Sequence, residues 1–336
     1  MITPFLRNAE ACVTAAAETL AGIGLSAEYE YRLRRDILDE APDFPHMLRL
    51  KRQVLSGAML AEVTAEQLPN GGWARFGTED LTVKKKAPTT SFAVRRLLWL
   101  GLTRQDEPLL QALDYLVDMF EGRRKPPEGG EVNERWPEVL RIRAGNLIAM
   151  IDAYEPCLDD LMERWRFIAE NTFHDGVYDY AVCKDLQSTL LNIQGRRLIP
   201  IPLQLLVRRR GFLTERMERI VLDYCWQRHL EGFLWWSDGK LDALPENFHN
   251  PKTSRHMNTM ESMVCFRNSS VYLQPSIEWL LGGREEDGLW DYGPQAADPF
   301  GYTRKLAAPD WRKPISRKLD CTMEVLALLK EYIRNN

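Results

Sequence analysis

The chain has 336 residues, of which 45% are hydrophobic, and a formal net charge of −4 at pH 7. This length and composition allow a large buried core, and the weakly acidic balance argues against nucleic acid as a partner. The six cysteines include no CxxC pair, which excludes a zinc ribbon and a disulfide framework and favours a reducing, cytoplasmic location.

The spacing of apolar residues predicts helices along the whole chain, with almost no alternating strand pattern. Arg7 and Glu10 interrupt the N-terminal stretch, so we expect no signal peptide. The predicted helices span residues 4–20, 27–40, 45–67, 92–102, 109–120, 138–154, 158–173, 185–207, 214–230, 254–266, 272–281 and 316–333. We expect the segment 185–207 to be interrupted at Gly195, Pro200 and Pro202.

The longest apolar run covers residues 198–207 and has arginines on both sides. A transmembrane helix needs roughly 20 apolar residues, so this run predicts no transmembrane segment. We interpret it as part of a buried helix. Contact with a membrane surface is the alternative.

Glycines end alternate predicted helices at nearly constant intervals, which indicates a repeat of one helical hairpin. The separations are 51, 54, 56 and 56 residues. Because a hairpin cannot bury its apolar face alone, the repeat predicts an all-α, single-domain (α/α)6-type toroid over residues 1–336, with helices in 4–40 helping to close the ring. The glycines are Gly71, Gly122, Gly176, Gly232 and Gly288.

The connections between predicted helices alternate between short and long. In a ring of inner and outer helices, the long loops fall on one face, and binding and catalytic residues are often found on such loops. We therefore expect a mouth over a central cavity. The long loops are 69–88, 122–135, 174–184, 232–253 and 284–315.

Three motifs carry a resemblance to known proteins. The first is Gln67-x3-Gly71-x-Trp73, with degenerate copies that end at Tyr178 and Trp290. The second is a run of small polar residues, Thr89-Thr-Ser-Phe-Ala93, which opens a predicted inner helix. The third is Asp320-Cys-Thr-Met-Glu324, preceded by Trp311.

These motifs resemble the α/α-toroid superfamily of terpenoid cyclases and protein prenyltransferase β-subunits. The first resembles its QW repeat, and the third is similar to the Asp-Cys-Thr-Ala-Glu motif of oxidosqualene cyclases. The chain departs from both relatives, because it has the length of one toroid and lacks Asp-x-Asp-Asp and the prenyltransferase zinc pattern. The resemblance implies an enzyme that acts on an apolar isoprenoid in a central cavity, without a metal or another cofactor.

The resemblance makes Asp320 the candidate catalytic acid, with Cys321 as a possible hydrogen-bond partner. Class II cyclisation begins when a protonated carboxyl delivers its proton to an alkene or epoxide in a dry cavity. The alternative is that Asp320 caps the start of the last helix.

Aromatic, histidine and arginine side chains complete the candidate site. Aromatic rings can stabilise carbocations or, alternatively, clamp neighbouring repeats. His256 is a candidate acid or a solvated loop histidine, and Arg141 and Arg143 can grip a diphosphate or lie in solvent. The aromatic candidates are Trp235, Trp236, Tyr178, Trp290 and Trp311.

Two other functions fit the same sequence. A non-catalytic toroid would use its mouth to bind a protein or a lipid. A carbohydrate-active (α/α)6 enzyme would need paired carboxylates in its cavity, for which Glu131, Glu134 and Asp185 are the candidates. The sequence does not indicate an oligomeric state.

Overall fold

The computed structural model describes residues 4–76, 89–125, 136–174, 176–193, 198–230, 244–250, 252–293 and 313–336. Helix dominates this part of the chain, which confirms the predicted all-α class. The elements are α1 (Pro4–Gly22), α2 (Ala27–Arg32), a π-helical turn (Leu33–Ile37), α3 (Pro45–Leu55), α4 (Ala58–Thr64), α5 (Thr90–Trp99), α6 (Glu107–Phe120), α7 (Trp136–Ile151), a 3₁₀ turn (Pro156–Leu158), α8 (Asp159–Thr172), β1 (Phe173–His174), β2 (Val177–Tyr178), α9 (Tyr180–Leu191), α10 (Leu203–Arg208), α11 (Glu215–Leu230), α12 (Thr253–Met263), α13 (Ser270–Gly282) and α14 (Pro314–Asn335).

Two long predicted helices are interrupted. The predicted helix 45–67 is divided into α3 and α4 at Ser56 and Gly57. The segment 185–207 is interrupted, as its glycine and prolines predict, and forms α9 and α10, but α9 begins earlier than predicted. Asp179 causes the early start, because its Oδ1 accepts hydrogen bonds from the backbone N–H groups of Ala181 and Val182.

A short β-hairpin replaces part of the predicted loop 174–184. Phe173 pairs with Tyr178 in an antiparallel register. Since α9 follows directly at Tyr180, this connection is shorter than the predicted loop 174–184.

The apolar run 198–207 lies in the protein core. Ile199, Leu205 and Leu206 are buried, and the Gln187 side chain makes two hydrogen bonds to the Ile199 backbone, at 2.7 and 2.9 Å. This burial favours the buried interpretation over membrane contact for the run. Among the described residues, no helix combines the length and apolarity needed to span a bilayer.

The chain divides into two compact units, which are described separately. Unit 1 contains Met1–Glu62, Trp99–Gly101 and Cys225–Asn336, and in it α1 packs against α14, and α2 against α3. Unit 2 contains Val63–Leu98 and Leu102–Tyr224, and in it α6 packs against α7, and α8 against α9. Closure of the helices into a ring stays a prediction.

The motif Gln67–Trp73 forms a helix break held by side-chain hydrogen bonds. Gln67 Nε2 donates to the carbonyl oxygens of Gly71 and Pro108, both at 2.9 Å. The buried Trp73 donates its indole N–H to Val63 O at 2.9 Å, and its backbone N–H to Thr90 Oγ1 at 3.0 Å. These bonds join the end of α4, the glycine turn and the start of α5.

The same break recurs at Trp290, in unit 1. Its indole N–H donates to Leu280 O at 2.7 Å, and its backbone N–H donates to Thr322 Oγ1 at 3.0 Å. In both copies the indole acceptor lies ten residues before the tryptophan. Gly71 and Gly288, two residues before each tryptophan, have φ values of 85° and 82°. The predicted relation between these two breaks is therefore confirmed at the level of local structure.

Replacing Gly71 with alanine should destabilise unit 2 more than the same change at Gly122. Both glycines have positive φ, which costs alanine about 1–2 kcal/mol. A Cβ at position 71 would also lie 2.0 Å from Gln111 O, whereas a Cβ at position 122 meets no atom within 4 Å. Urea unfolding should show a loss at least twice as large for Gly71→Ala. Equal losses would contradict the close approach of Gln111 to this turn.

Candidate functional site

Helix α14 carries the motif Asp320-Cys-Thr-Met-Glu324, and all five residues are buried in unit 1. Asp320 and Glu324 are four residues apart, so both carboxyl groups lie on one face of the helix. The helix begins at Pro314, which places Asp320 in the second turn. Only the first four N–H groups of a helix need a cap, so the helix-capping explanation of Asp320 does not fit.

The Asp320 carboxyl has no solvent exposure and accepts a hydrogen bond from a phenol. Tyr29 Oη on α2 donates to Asp320 Oδ1 at 2.7 Å. Tyr29 is itself buried, and its ring meets Trp99 edge-on at 5.2 Å between centroids. The sequence suggested Cys321 or a nearby group as the hydrogen-bond partner of Asp320, and the structure shows Tyr29 in this role.

Glu324 is compensated by a buried cation. Arg32 Nη1 donates to Glu324 Oε1 at 2.7 Å, and Trp99 Nε1 donates to the same oxygen at 3.1 Å. The Arg32 guanidinium also lies over the Trp99 ring, 4.8 Å from its centroid. Glu324 is thus held as a paired carboxylate one helical turn from Asp320.

A second buried ion pair lies on the preceding turn of α14. Arg317 contacts both carboxylate oxygens of Asp291, at 3.0 and 3.1 Å. Burial raises the pKa of the Cys321 thiol, and the Asp291 carboxylate raises it further. Burial also raises the pKa of the Tyr292 phenol. Both groups are therefore neutral at physiological pH and supply weak polar contacts without added charge.

His256 belongs to an aromatic stack in unit 1. It lies buried on α12 and meets Trp279 edge-on at 5.3 Å, so the interpretation as a solvated loop histidine is wrong. Phe248 stacks on Trp279 and on Tyr292, each at 5.3 Å. These ring contacts form a continuous stack from His256 to Tyr292. The Tyr292 phenol in turn interacts with the Cys321 thiol.

Trp290 has a structural contact in this unit. The side chain is fully buried and its indole N–H is used by Leu280 O, as in the break at Trp73. The clamp interpretation therefore fits the geometry of Trp290. Its contact with a substrate stays a prediction.

Three predicted site residues lie in unit 2. Tyr178 stacks on Tyr224 at 4.7 Å, and burial raises the pKa of its phenol above the ordinary range. Arg141 contacts Glu138 at 3.2 Å and lies 5.0 Å from the Phe120 ring centroid.

Arg143 lies over the Trp136 ring at 5.6 Å. Both arginines of α7 thus lie over aromatic rings. The alternative predicted from the sequence, that they lie in solvent, did not include these contacts. Their role in holding a diphosphate stays a prediction.

Several predicted residues lie outside the described residues. Among the remaining alternatives, Asp185 is exposed on α9. The residues outside are Trp235, Trp236, Trp311, Glu131 and Glu134.

Tyr29, Arg32 and Trp99 contact the two acids but were not among the site residues predicted from the sequence. Tyr29 and Arg32 are three residues apart on α2, and the two acids are four residues apart on α14. Either spacing places both members of a pair on one face of a helix, so the two pairs can meet. Paired polar residues on otherwise buried helix faces were the available signal. That signal does not say which two helices pair.

Unit 2 contains a second buried glutamate with similar partners. Glu138 Oε1 accepts from Trp165 Nε1 at 3.1 Å, and Oε2 contacts Arg141. Burial raises the pKa of Glu138, and Arg141 and Trp165 offset this only in part. The combination of a buried glutamate, an arginine and an indole therefore occurs in both units.

The described residues contain no group of three or more histidine, cysteine or acidic side chains suited to a metal ion. Comparisons with protein-family models, with curated proteins and with solved structures gave no match. The function is therefore inferred from the geometry of the site alone.

Replacing Glu138 with glutamine should stabilise the protein relative to wild type as pH rises. Because the folded-state pKa of Glu138 lies above its unfolded value of 4.5, the wild type loses stability as pH rises from that value through the folded pKa. Glutamine does not titrate. The melting temperature of Glu138→Gln minus that of wild type should increase between about pH 4 and pH 7.

Glu170→Gln, on the exposed face of α8, is the control for this measurement and should give a flat difference. A difference that decreases with pH would mean that Arg141 and Trp165 outweigh the burial of Glu138.

Proposed function

We propose that this protein is an enzyme that protonates an apolar isoprenoid and so starts its cyclisation or isomerisation, with Asp320 as the acid. The observation that supports the proposal best is the fully buried Asp320 carboxyl with its short hydrogen bond from Tyr29. Burial disfavours a charged carboxylate, and the Tyr29 phenol is a neutral hydrogen-bond donor to Asp320.

The proposed step moves one proton. The O–H bond of the Asp320 carboxyl breaks, and the π electrons of a substrate alkene form the new C–H bond. The products are a tertiary carbocation and the Asp320 carboxylate, which keeps the hydrogen bond from Tyr29. With an epoxide substrate, the proton goes to the ring oxygen and a C–O bond breaks. Loss of a proton from the final cation completes the reaction.

The neighbouring groups suit this chemistry. Arg32 compensates Glu324, so the carboxylate one turn away does not add an unpaired negative charge to the cluster. The rings of Tyr29 and Trp99 lie beside the acid, and electron-rich rings can stabilise a carbocation. Residues from α2, α14 and the end of α5 thus bring an acid and aromatic faces together.

A non-catalytic binding protein is the second candidate. It is favoured by the recurrence of the glutamate, arginine and indole arrangement around Glu138, where no acid motif occurs. In that case the cluster around Asp320 would hold α2 on α14 and nothing more. A carbohydrate-active enzyme has no comparable support, since Asp185 is exposed.

Asp320→Asn should abolish turnover of linear isoprenoids while Tyr29→Phe only weakens it. Asparagine keeps an oxygen that accepts from Tyr29 but has no carboxyl proton, so we expect a loss of at least about 100-fold. Phenylalanine removes the hydrogen bond and leaves the acid, so a loss of about 10-fold is expected. Products from polyprenes, their epoxides and their diphosphates are measured by mass spectrometry.

Deuterium labelling makes this test specific for protonation. In D₂O each cyclised or isomerised product formed by protonation of an alkene should carry one carbon-bound deuterium from the acid, whereas an epoxide takes it on a hydroxyl that exchanges with water. Thermal unfolding of both variants, with exposed Asp43→Asn as the control, shows whether the fold survives. Full activity of Asp320→Asn, or an alkene-derived product without carbon-bound deuterium, would exclude Asp320 as the acid. If the wild type converts none of these compounds, the binding function is favoured.

A further inference from the structure

Helix α3 in unit 1 has a second apolar face that points to solvent. Met47, Leu50 and Val54 form its buried face. Phe44, immediately before the helix, and Leu48 and Leu55 are 41 to 49% exposed. We name these three exposed residues the apolar strip. Together with Lys51 they follow the spacing i, i+4, i+7, i+11, which places them in one row along the helix.

Unit 1 also has a groove of about 520 Å³ between α1, α14 and the π-helical turn. The α1 wall is formed by small side chains, including Ala17 and Ala21, and the opposite wall includes Leu38 and Ile333. Leu38 is 45% exposed. We name this feature the acidic groove, because Glu10 and Glu18 of α1 line it.

The strip and the groove carry opposite charges. Arg49 and Arg52 are exposed and lie beside the strip, whereas Glu10 and Glu18 lie on the groove. Within the part of the chain that is described, none of these four side chains forms an ion pair. The one lysine that lines the groove, Lys330, is paired with Asp39 and so adds little positive charge.

The two surfaces also match in length. The strip extends from Phe44 to Leu55, and the α1 wall of the groove extends from Glu10 to Ala21. Each span covers eleven helical steps, or about 16 Å at 1.5 Å per residue. A helix with a row of apolar anchors in an apolar groove is a common mode of protein recognition.

We propose that the groove of one copy of this chain receives the apolar strip of a second copy. Stable interfaces bury roughly 1,200 Å² or more, so the assembly is favoured when it buries more area than one strip in one groove. A two-fold axis doubles the buried area, because each copy then supplies one strip and one groove. The proposed assembly is therefore a closed, two-fold dimer, and it does not depend on the reaction proposed above.

The test uses charge reversal on the two surfaces separately. Glu10→Lys/Glu18→Lys makes the groove basic, and Arg49→Glu/Arg52→Glu makes the strip acidic. Alone, each variant faces like charge at both contacts, and its dimer dissociation constant should rise at least about 10-fold. Mixed in equal amounts, the two variants meet opposite charge at both contacts and should form a mixed dimer.

Sedimentation velocity and native mass spectrometry of the full chain measure these assemblies. Leu48→Glu should also give a monomer, whereas Val271→Glu, at an exposed valine of α13, should leave the dimer intact. A wild type that stays monomeric at 100 micromolar, or variants that fail to pair when mixed, would overturn the proposal. Binding of a monomer to vesicles of anionic phospholipid, lost in Leu48→Glu, would instead assign the strip to a membrane.

Discussion

The indole N–H of a buried tryptophan must find an acceptor, and this requirement shapes the helix breaks of the protein. Trp73 and Trp290 each reach back ten residues to a backbone carbonyl, and each also binds a threonine hydroxyl through its own backbone N–H. A positive-φ glycine two residues earlier turns the chain into position. The three features work together, because an indole that lost its acceptor would leave a buried donor unsatisfied at a cost of about 1–3 kcal/mol.

The need of every buried polar side chain for a partner also explains the polar centre of unit 1. Helix α14 is buried on nearly all sides, yet it carries Arg317, Asp320 and Glu324. Two of these side chains are held by an opposite charge, Glu324 by Arg32 and Arg317 by Asp291. Removal of one partner of a buried ion pair typically costs about 3–5 kcal/mol, so these pairs help to hold α2 and the segment around Asp291 against α14.

Asp320 accepts a hydrogen bond from a neutral phenol of α2. Tyr29 donates to Asp320, while Glu324 accepts from the guanidinium of Arg32 and Asp291 from that of Arg317. A neutral donor satisfies a protonated carboxyl as well as a carboxylate, which is what an acid that cycles between both states needs. Glu138 accepts from a neutral indole, Trp165, and also from the guanidinium of Arg141. The functional proposal rests on Asp320 because this residue combines the acid motif with complete burial and the hydrogen bond from Tyr29.

The amino-acid sequence by itself determined the helical class and the positions of most helices, because apolar periodicity and glycine breaks are local signals. It also determined that the breaks at Gly71 and Gly288 are related. The helix boundaries were predicted less accurately, because they depend on capping side chains. Asp179, for example, begins α9 earlier than the spacing of apolar residues indicates.

Only the tertiary structure decided the composition of the candidate site. Asp320 and Tyr29 are separated by 291 residues, and Glu324 and Trp99 by 225, so no local pattern can pair them. The sequence singled out Asp320 through a motif but not Tyr29, because a tyrosine on an amphipathic helix has no distinctive neighbours. The burial of His256 likewise depends on Trp279, which lies on a different helix. Sequence periodicity says which face of a helix is buried, whereas the packing of distant helices decides which side chains meet there.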